Sequence, residues 1–332
     1  MPRRPSVAFV VLTTVLLLPL PGGRAGEVLD PSKARAKEGD PTRWYDLRLL
    51  DVEGKGWTDT KAFYDRLPAR AEGKVRPPVW GLSRHSAGLC ARFVTDAPTI
   101  QAHWVLTSGN LAMPHMPATG VSGLDLYVRT DAGRWHWLGV GQPHARDNTA
   151  TLAGGLPPGR REYLLYLPLY NGVSLVEIGI PRASTLSKAP PRPEGARRPV
   201  VFYGTSITQG GCASRPGMVH TAILGRRLGC PIINLGFSGN GTMDAEIAAL
   251  MGELDAAVYV IDCLPNMTGP QVAERAGPFV QALRKARPHT PILLVEDRTY
   301  TAAFLEPALR QHNRDNRAAL KAAYERLQKE GV

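Results

Sequence analysis

Four cysteines in 332 residues are too few for a disulfide-knit fold. Cys90, Cys212, Cys230 and Cys263 contain no C-x-x-C pair, so the spacing of a zinc or dithiol site is missing, and no H-E-x-x-H occurs. No metal or organic cofactor is implied. If the chain is exported its thiols are free to pair, and a Cys212–Cys263 bridge between two candidate loops is one arrangement beside that of small buried residues. The formal charge is +11, yet the basic residues are scattered, with no long run, no basic stripe interleaved with aromatics, and no zinc-finger or RNA-binding signature. A solvated basic surface follows, and nucleic acid is not an expected partner. Beyond Leu20 no apolar stretch is long enough for a membrane span, so none is expected after the amino terminus is processed. The nucleophile elbow G-x-S-x-G is missing at the one serine that sits as such a residue would, because Thr208 stands where the second glycine belongs.

What is present begins with a leader. Arg3 and Arg4, the apolar run 7–20 and Gly23-Arg24-Ala25 follow the order of a secretory signal peptide cleaved after Ala25, so a secreted or periplasmic protein starting near Gly26 is expected. With 43% apolar residues the remainder can bury two cores. From 44 to 181, short extended runs (99–106, 124–128, 135–140, 163–167) alternate with turn clusters such as Gly154-Gly-Leu-Pro-Pro-Gly, which predicts a β-sandwich or jelly roll over 26–186. The segment 187–199, SKAPPRPEGARRP, reads as a stiff linker. After it, strand patterns at 200–203, 231–237, 256–261 and 291–296 alternate with helical patterns at 218–228, 243–254, 271–286 and 313–329. That order predicts a doubly wound, flavodoxin-like parallel sheet covered on both faces over 200–332.

The stretch 198–217, RPVVFYGTSITQGGCASRPG, feeds Ser206 from a buried strand into a glycine-rich loop, at the carboxyl edge where open α/β sheets hold their chemistry. Asn234–Gly241 (NLGFSGNG) and Asp262–Met267 (DCLPNM) follow two further strands. Together the three stretches resemble the first three signature blocks of the SGNH (GDSL-like) hydrolases. The resemblance implies Ser206 as acyl-accepting nucleophile, and as oxyanion donors its own N–H, the N–H of Gly239 and the side-chain amide of Asn266. A glycine lets its N–H approach a reacting oxygen unobstructed. Asn240-Gly-Thr and Asn266-Met-Thr also match the glycosylation sequon, read here as coincidence because a glycan on Asn266 would block that donor. Gly123-Leu-Asp-Leu-Tyr127 resembles the GxDLY motif of an amino-terminal module found with one subgroup of these enzymes. Asp125, taken alone, reads as a solvent-facing or turn-satisfying group, and His115, in Met113-Pro-His-Met-Pro, as a packing residue near the domain junction.

The family takes its base from a last block, D-x-x-H, and none of the eight histidines has an aspartate three positions earlier. The chain stops at Val332 after the last predicted helix, so a fragment of a longer enzyme or a catalytically crippled relative is expected. Without a further strand and helix the sheet should show an unpaired edge and an uncovered apolar face. The resemblance implies a secreted serine esterase acting on O-acyl esters, acetyl groups on carbohydrate among them, with a small-molecule or polysaccharide acyl ester as partner. The competing class is a non-catalytic protein that holds a glycan or acylated ligand, and a third outcome is acyl transfer to an acceptor other than water.

Overall fold

The computed structural model describes residues 26–332, so the expected signal segment 1–25 lies outside the described residues. The amino-terminal half contains β1 (Thr42–Asp46), β2 (Val52–Glu53), α1 (Pro77–Ser83), β3 (Cys90–Thr95), β4 (Ile100–Leu106), α2 (Ala118–Val121), β5 (Leu124–Arg129), β6 (Trp135–Gly141), β7 (Asp147–Ala153), β8 (Arg161–Tyr166), β9 (Val173–Pro181) and β10 (Leu186–Lys188). They form two antiparallel sheets. One runs β1-β9-β4-β7, the other β10-β3-β8-β5-β6 with β2 added against β3. Period-two patterning builds the core between them: in β4, Ile100, Ala102, Trp104 and Leu106 are buried while Gln101, His103 and Val105 turn outward.

The second half contains β11 (Val200–Gly204), α3 (Ser206–Gln209), α4 (His220–Leu228), β12 (Ile232–Gly236), α5 (Ala245–Met251), β13 (Val258–Asp262), α6 (Gly269–Ala286), β14 (Ile292–Leu294) and α7 (Pro307–Lys329). Its sheet is parallel, in the order β12-β11-β13-β14. The order reverses at β11, and a crevice at such a switch point is where an α/β sheet accepts ligands. Each strand is apolar on both faces. Val201, Tyr203, Ile233, Leu235, Tyr259 and Ile261 pack into a large core with residues of α5, α6 and α7. Val200, Phe202, Ile232 and Val260 face the other way, where Leu224 of α4 packs on them.

Helices lie on both faces, as expected of a doubly wound sheet, but coverage is unequal, in keeping with the expected uncovered apolar face. Beside α4 an open apolar groove of about 570 Å³ runs past Phe202, Val258, Val260 and Leu293. Among the described residues α5, α6 and α7 shield one face and α4 part of the other, because the crossovers through α5 and α6 and the helix after β14 lie on the same side and the crossover through α4 lies opposite. β14 is an edge strand, and Leu293 is 55% exposed.

The halves are not separated at the linker alone. Trp57, Leu67, Ala71, Val75 and Val79, from the segment between β2 and β3, pack into the core of the parallel-sheet half. Arg66, 2% exposed, donates to the carbonyls of Asn234 and Gly236, at the end of β12, and to those of Leu82 and His85. Among the described residues no helix is long and apolar enough to cross a membrane.

Candidate active site

Three loops meet at the carboxyl edge of the parallel sheet. The first follows β11, whose last residue must be glycine: a Cβ on Gly204 would lie 2.2 Å from the Thr208 hydroxyl and 2.6 Å from the Asp262 carbonyl. Thr205 then caps α3, its hydroxyl accepting the Ile207 N–H at 3.2 Å, so Ser206 is the first helical residue. The second loop follows β12. Its Phe237 N–H donates to the Gly204 carbonyl (2.9 Å), and the Asn240 N–H donates to the Phe237 carbonyl (2.8 Å), closing a tight turn with Ser238 and Gly239 at its tip. Gly239 has φ +69°, a conformation that strains any residue with a Cβ.

The third loop is the short turn Leu264–Asn266 after β13. The Asn266 side-chain oxygen accepts the Gly241 N–H at 3.3 Å, linking this loop to the second and leaving the amide nitrogen as the open end. Asn316 of α7 holds the turn from behind, its amide donating to the carbonyls of Leu264 (3.1 Å) and Met267 (2.9 Å). Among the described residues, the N–H groups of Ser206 and Gly239 and the amide nitrogen of Asn266 donate to no protein acceptor. An N–H left open at a crevice of tied loops can serve a ligand oxygen, whereas a buried one would be a defect.

The ionisable groups around these loops are set by burial. Asp262 accepts the Thr208 hydroxyl at 3.1 Å, and burial raises its pKa against the lowering pull of that hydrogen bond and of His220. Burial lowers the pKa of His220, whose ring stands edge-on to Phe202, with Asp262 opposing the shift. His312 shares its Nε2 with the Asn316 amide at 3.1 Å and lies 3.9 Å from the buried Asp297. His115 is exposed on the turn between Met113 and Met116, so it is not the packing residue the sequence suggested. Among the described residues no histidine forms a hydrogen bond with Ser206; the ring contacts of His85, His103 and His312 go elsewhere.

Two other expectations change. Asp125 is not solvent-facing: it is fully buried, accepts the Gly217 N–H (2.8 Å) and the Trp137 indole N–H (2.9 Å), and is ion-paired with the Arg215 guanidinium at 3.4 Å. Its carboxylate thus ties the β-sandwich to the segment after α3. Burial pushes its pKa up to about 6, against the pull of these partners. Cys212 and Cys263 are not bridged. All four cysteines are free, Cys263 is buried with its thiol on the Tyr203 carbonyl (3.8 Å), and Cys212 is exposed with φ +65°. Sequence reasoning also passed over Gln209, Tyr170, His85 and Arg66, which surround the first two loops. Only Gln209, three residues after Ser206 and so on the same helical turn, carries a local signal.

The model of the GDSL-like lipase/acylhydrolase family matches residues 197–332, and that of the amino-terminal GxDLY domain of SGNH-hydrolase-type esterases matches residues 42–186. No curated protein matches the chain. Among solved structures, a protein from Bacteroides ovatus named for its likeness to GDSL lipases is 32% identical with a TM-score of 0.83, the match covering 88% of this chain and 85% of that one. A salicylyl-acyltransferase from a tetracycline biosynthetic pathway is 22% identical (TM-score 0.67; 89% of this chain, 83% of that one), which shows a shared fold. A family two carbohydrate esterase from Cellvibrio japonicus shares the fold at 13% identity (TM-score 0.54; 87% and 85%). By these matches, on a parallel sheet whose three loops carry the blocks at Ser206, Gly239 and Asn266, the chain belongs to the GDSL-like lipase/acylhydrolase family and is by family an ester hydrolase.

Proposed function

We propose that this protein is an exported serine esterase that cleaves O-acyl esters, acetyl esters of carbohydrate among them, through an acyl-enzyme on Ser206. The observation that carries the reading is the set of three open donors, on Ser206, Gly239 and Asn266, on loops tied to one another at the sheet's switch point. In the reaction the Ser206 oxygen attacks the ester carbonyl and loses its proton to a base. The carbonyl oxygen becomes an oxyanion held by the three donors, the alcohol leaves with a proton, and water repeats the sequence to release the acid. An alcohol acceptor in place of water gives acyl transfer. Each donor is worth about 10²–10³ in rate.

One observation favours a second reading, a protein that binds an acylated ligand without turning it over: among the described residues no histidine is hydrogen-bonded to Ser206. Losing a triad member lowers kcat by about 10⁴–10⁶. The expected outcome is therefore slow hydrolysis of p-nitrophenyl acetate that disappears in Ser206→Ala. Equal rates for the two proteins would end the esterase reading and leave the binding one, which a carbohydrate acetate ligand then tests by calorimetry. For the export part of the proposal, amino-terminal sequencing of the protein from its native host is expected to start near Gly26.

A further inference from the structure

The β-sandwich reaches the candidate oxyanion site through one fully buried side chain. Gln209 closes α3, one turn after Ser206, and its amide is fully used. The nitrogen donates to the carbonyl of Leu169 (3.1 Å) and contacts Nδ1 of His85 (3.2 Å), both contributed by the amino-terminal half. The oxygen accepts the N–H of Ser238 at 3.0 Å, in the turn whose next residue is Gly239. Beside it Tyr170, again from the amino-terminal half, donates its hydroxyl to the Ser206 carbonyl at 3.1 Å.

Burial, reinforced by the positive charge of Arg66, lowers the pKa of His85 to about 4, so its ring is neutral at neutral pH. The ring then accepts the Gln209 amide at Nδ1, which fixes both the tautomer, with the proton on Nε2, and the orientation of the amide. That orientation turns the Gln209 oxygen toward Ser238. With the Phe237 N–H on Gly204 and the Asn240 N–H on Phe237, the turn is held before and after its tip, and among the described residues the Gly239 N–H is left without a protein acceptor. A donor that must meet a developing charge without reorganising needs this kind of over-determined support.

We infer that Gln209 is a positioning residue of the oxyanion site, and that His85, Leu169 and Tyr170 make the β-sandwich a structural part of that site rather than an appended module. The inference rests on Ser206 as nucleophile, so the test separates the two. Phenylboronic acid adds to a serine oxygen, forming a B–O bond and releasing the hydroxyl proton to solvent, and it places an anionic oxygen among the donors without needing a base on the enzyme. Its affinity is measured for the wild-type 26–332 chain, Ser206→Ala, Gln209→Leu and Gln209→Glu, each below its unfolding temperature and corrected for folded fraction.

The expected result is Ser206-dependent binding, weakened about 10–100-fold in Gln209→Leu. Gln209→Glu, which keeps the acceptor for Ser238 but sets its second oxygen against the Leu169 carbonyl, should recover part of that loss. Recovery by the variant that restores only this acceptor is an effect that general loosening of the fold would not produce. If Gln209→Leu does not fold, Tyr170→Phe removes only the bond to Ser206 and should weaken binding about 3–10-fold. Wild-type affinity in a folded Gln209→Leu, or in Tyr170→Phe should the former not fold, overturns the inference while leaving Ser206 as nucleophile. Equal binding by wild type and Ser206→Ala overturns the Ser206 reading and the inference with it.

Discussion

Asp125 and His85 are each held away from water beside the junction of the two halves, and burial moves their pKa values toward one another, up to about 6 and down to about 4. For His85 the unfolded value is the higher one, near 6.5. Both states are neutral above it, and as pH falls toward 4 the unfolded chain takes up the proton first, so stability is lost. For Asp125 the folded value is the higher one. Below the ordinary carboxylate range both states are protonated, and the stability present there is lost as pH rises through 6. Each shift is worth about 3 kcal/mol, with opposite sign over almost the same window. These two contributions to the pH profile should therefore nearly cancel between pH 4 and 6.5. Replacing either residue should expose the other: Asp125→Asn should lose about 3 kcal/mol more than wild type from pH 6.5 to 4, and His85→Gln should gain relative to wild type over the same range. Urea unfolding at four pH values measures this, and parallel profiles for the three proteins would contradict the assignment.

At the scale of single elements, the turn bearing Asn266 depends on a helix far along the chain. Asn316 sits in α7, fully buried, and its amide closes on the Leu264 and Met267 carbonyls while lying 3.4 Å from the Asp297 carboxylate. Asn316→Ala should cost about 1–3 kcal/mol, since it removes the side-chain donor of the Met267 carbonyl and leaves the Leu264 carbonyl with only the Met267 N–H, and it should speed amide exchange at Asn266 and Met267. A loss below about 0.5 kcal/mol with unchanged exchange would show the turn to be self-supporting. The sequence displayed β11, β12 and β13 plainly, because each is a short apolar run ended by a loop signal, and their observed ends fall within about two residues of the expected ones. The position of Ser206 was legible as that of a residue just past a strand, whereas Gly239 and Asn266 were reached only through the resemblance of their blocks. The sequence displayed β14 too, inside the longer pattern at 291–296, but it could not display Asn316, which reads as one polar position in a mostly polar helix. The segment between β2 and β3 was unreadable for a different cause. Trp57 donates its indole N–H to Glu253 at 2.7 Å, and Arg66 reaches Asn234, so what organises that segment is contact across some 170–200 residues rather than local periodicity.

For the whole molecule, the uncovered face of the parallel sheet opposes the net charge. A groove of about 570 Å³ with Phe202, Val258, Val260 and Leu293 on its walls, next to β14, whose outer edge is unpaired among the described residues, favours contact with any apolar surface or extended strand. The formal charge is +11 for the full sequence and +8 for residues 26–332, which lack Arg3, Arg4 and Arg24, and it keeps copies apart at low salt. That repulsion acts across solvent and is screened beyond about 8 Å at physiological ionic strength, while apolar contact is not weakened by salt. The 26–332 chain is therefore expected to bind a hydrophobic dye while folded and to self-associate more strongly as sodium chloride rises from 20 to 300 mM. Leu293→Lys puts a charge on the edge strand at a half-exposed position where its stem can lie along the groove and its ammonium reach water, so it should cut both effects severalfold at little cost in stability. Light scattering and dye fluorescence across the salt series decide it. A chain that stays monomeric and dye-silent in 300 mM salt would mean that the groove closes on itself in solution, and Leu293→Lys would then lower the melting temperature instead of improving solubility.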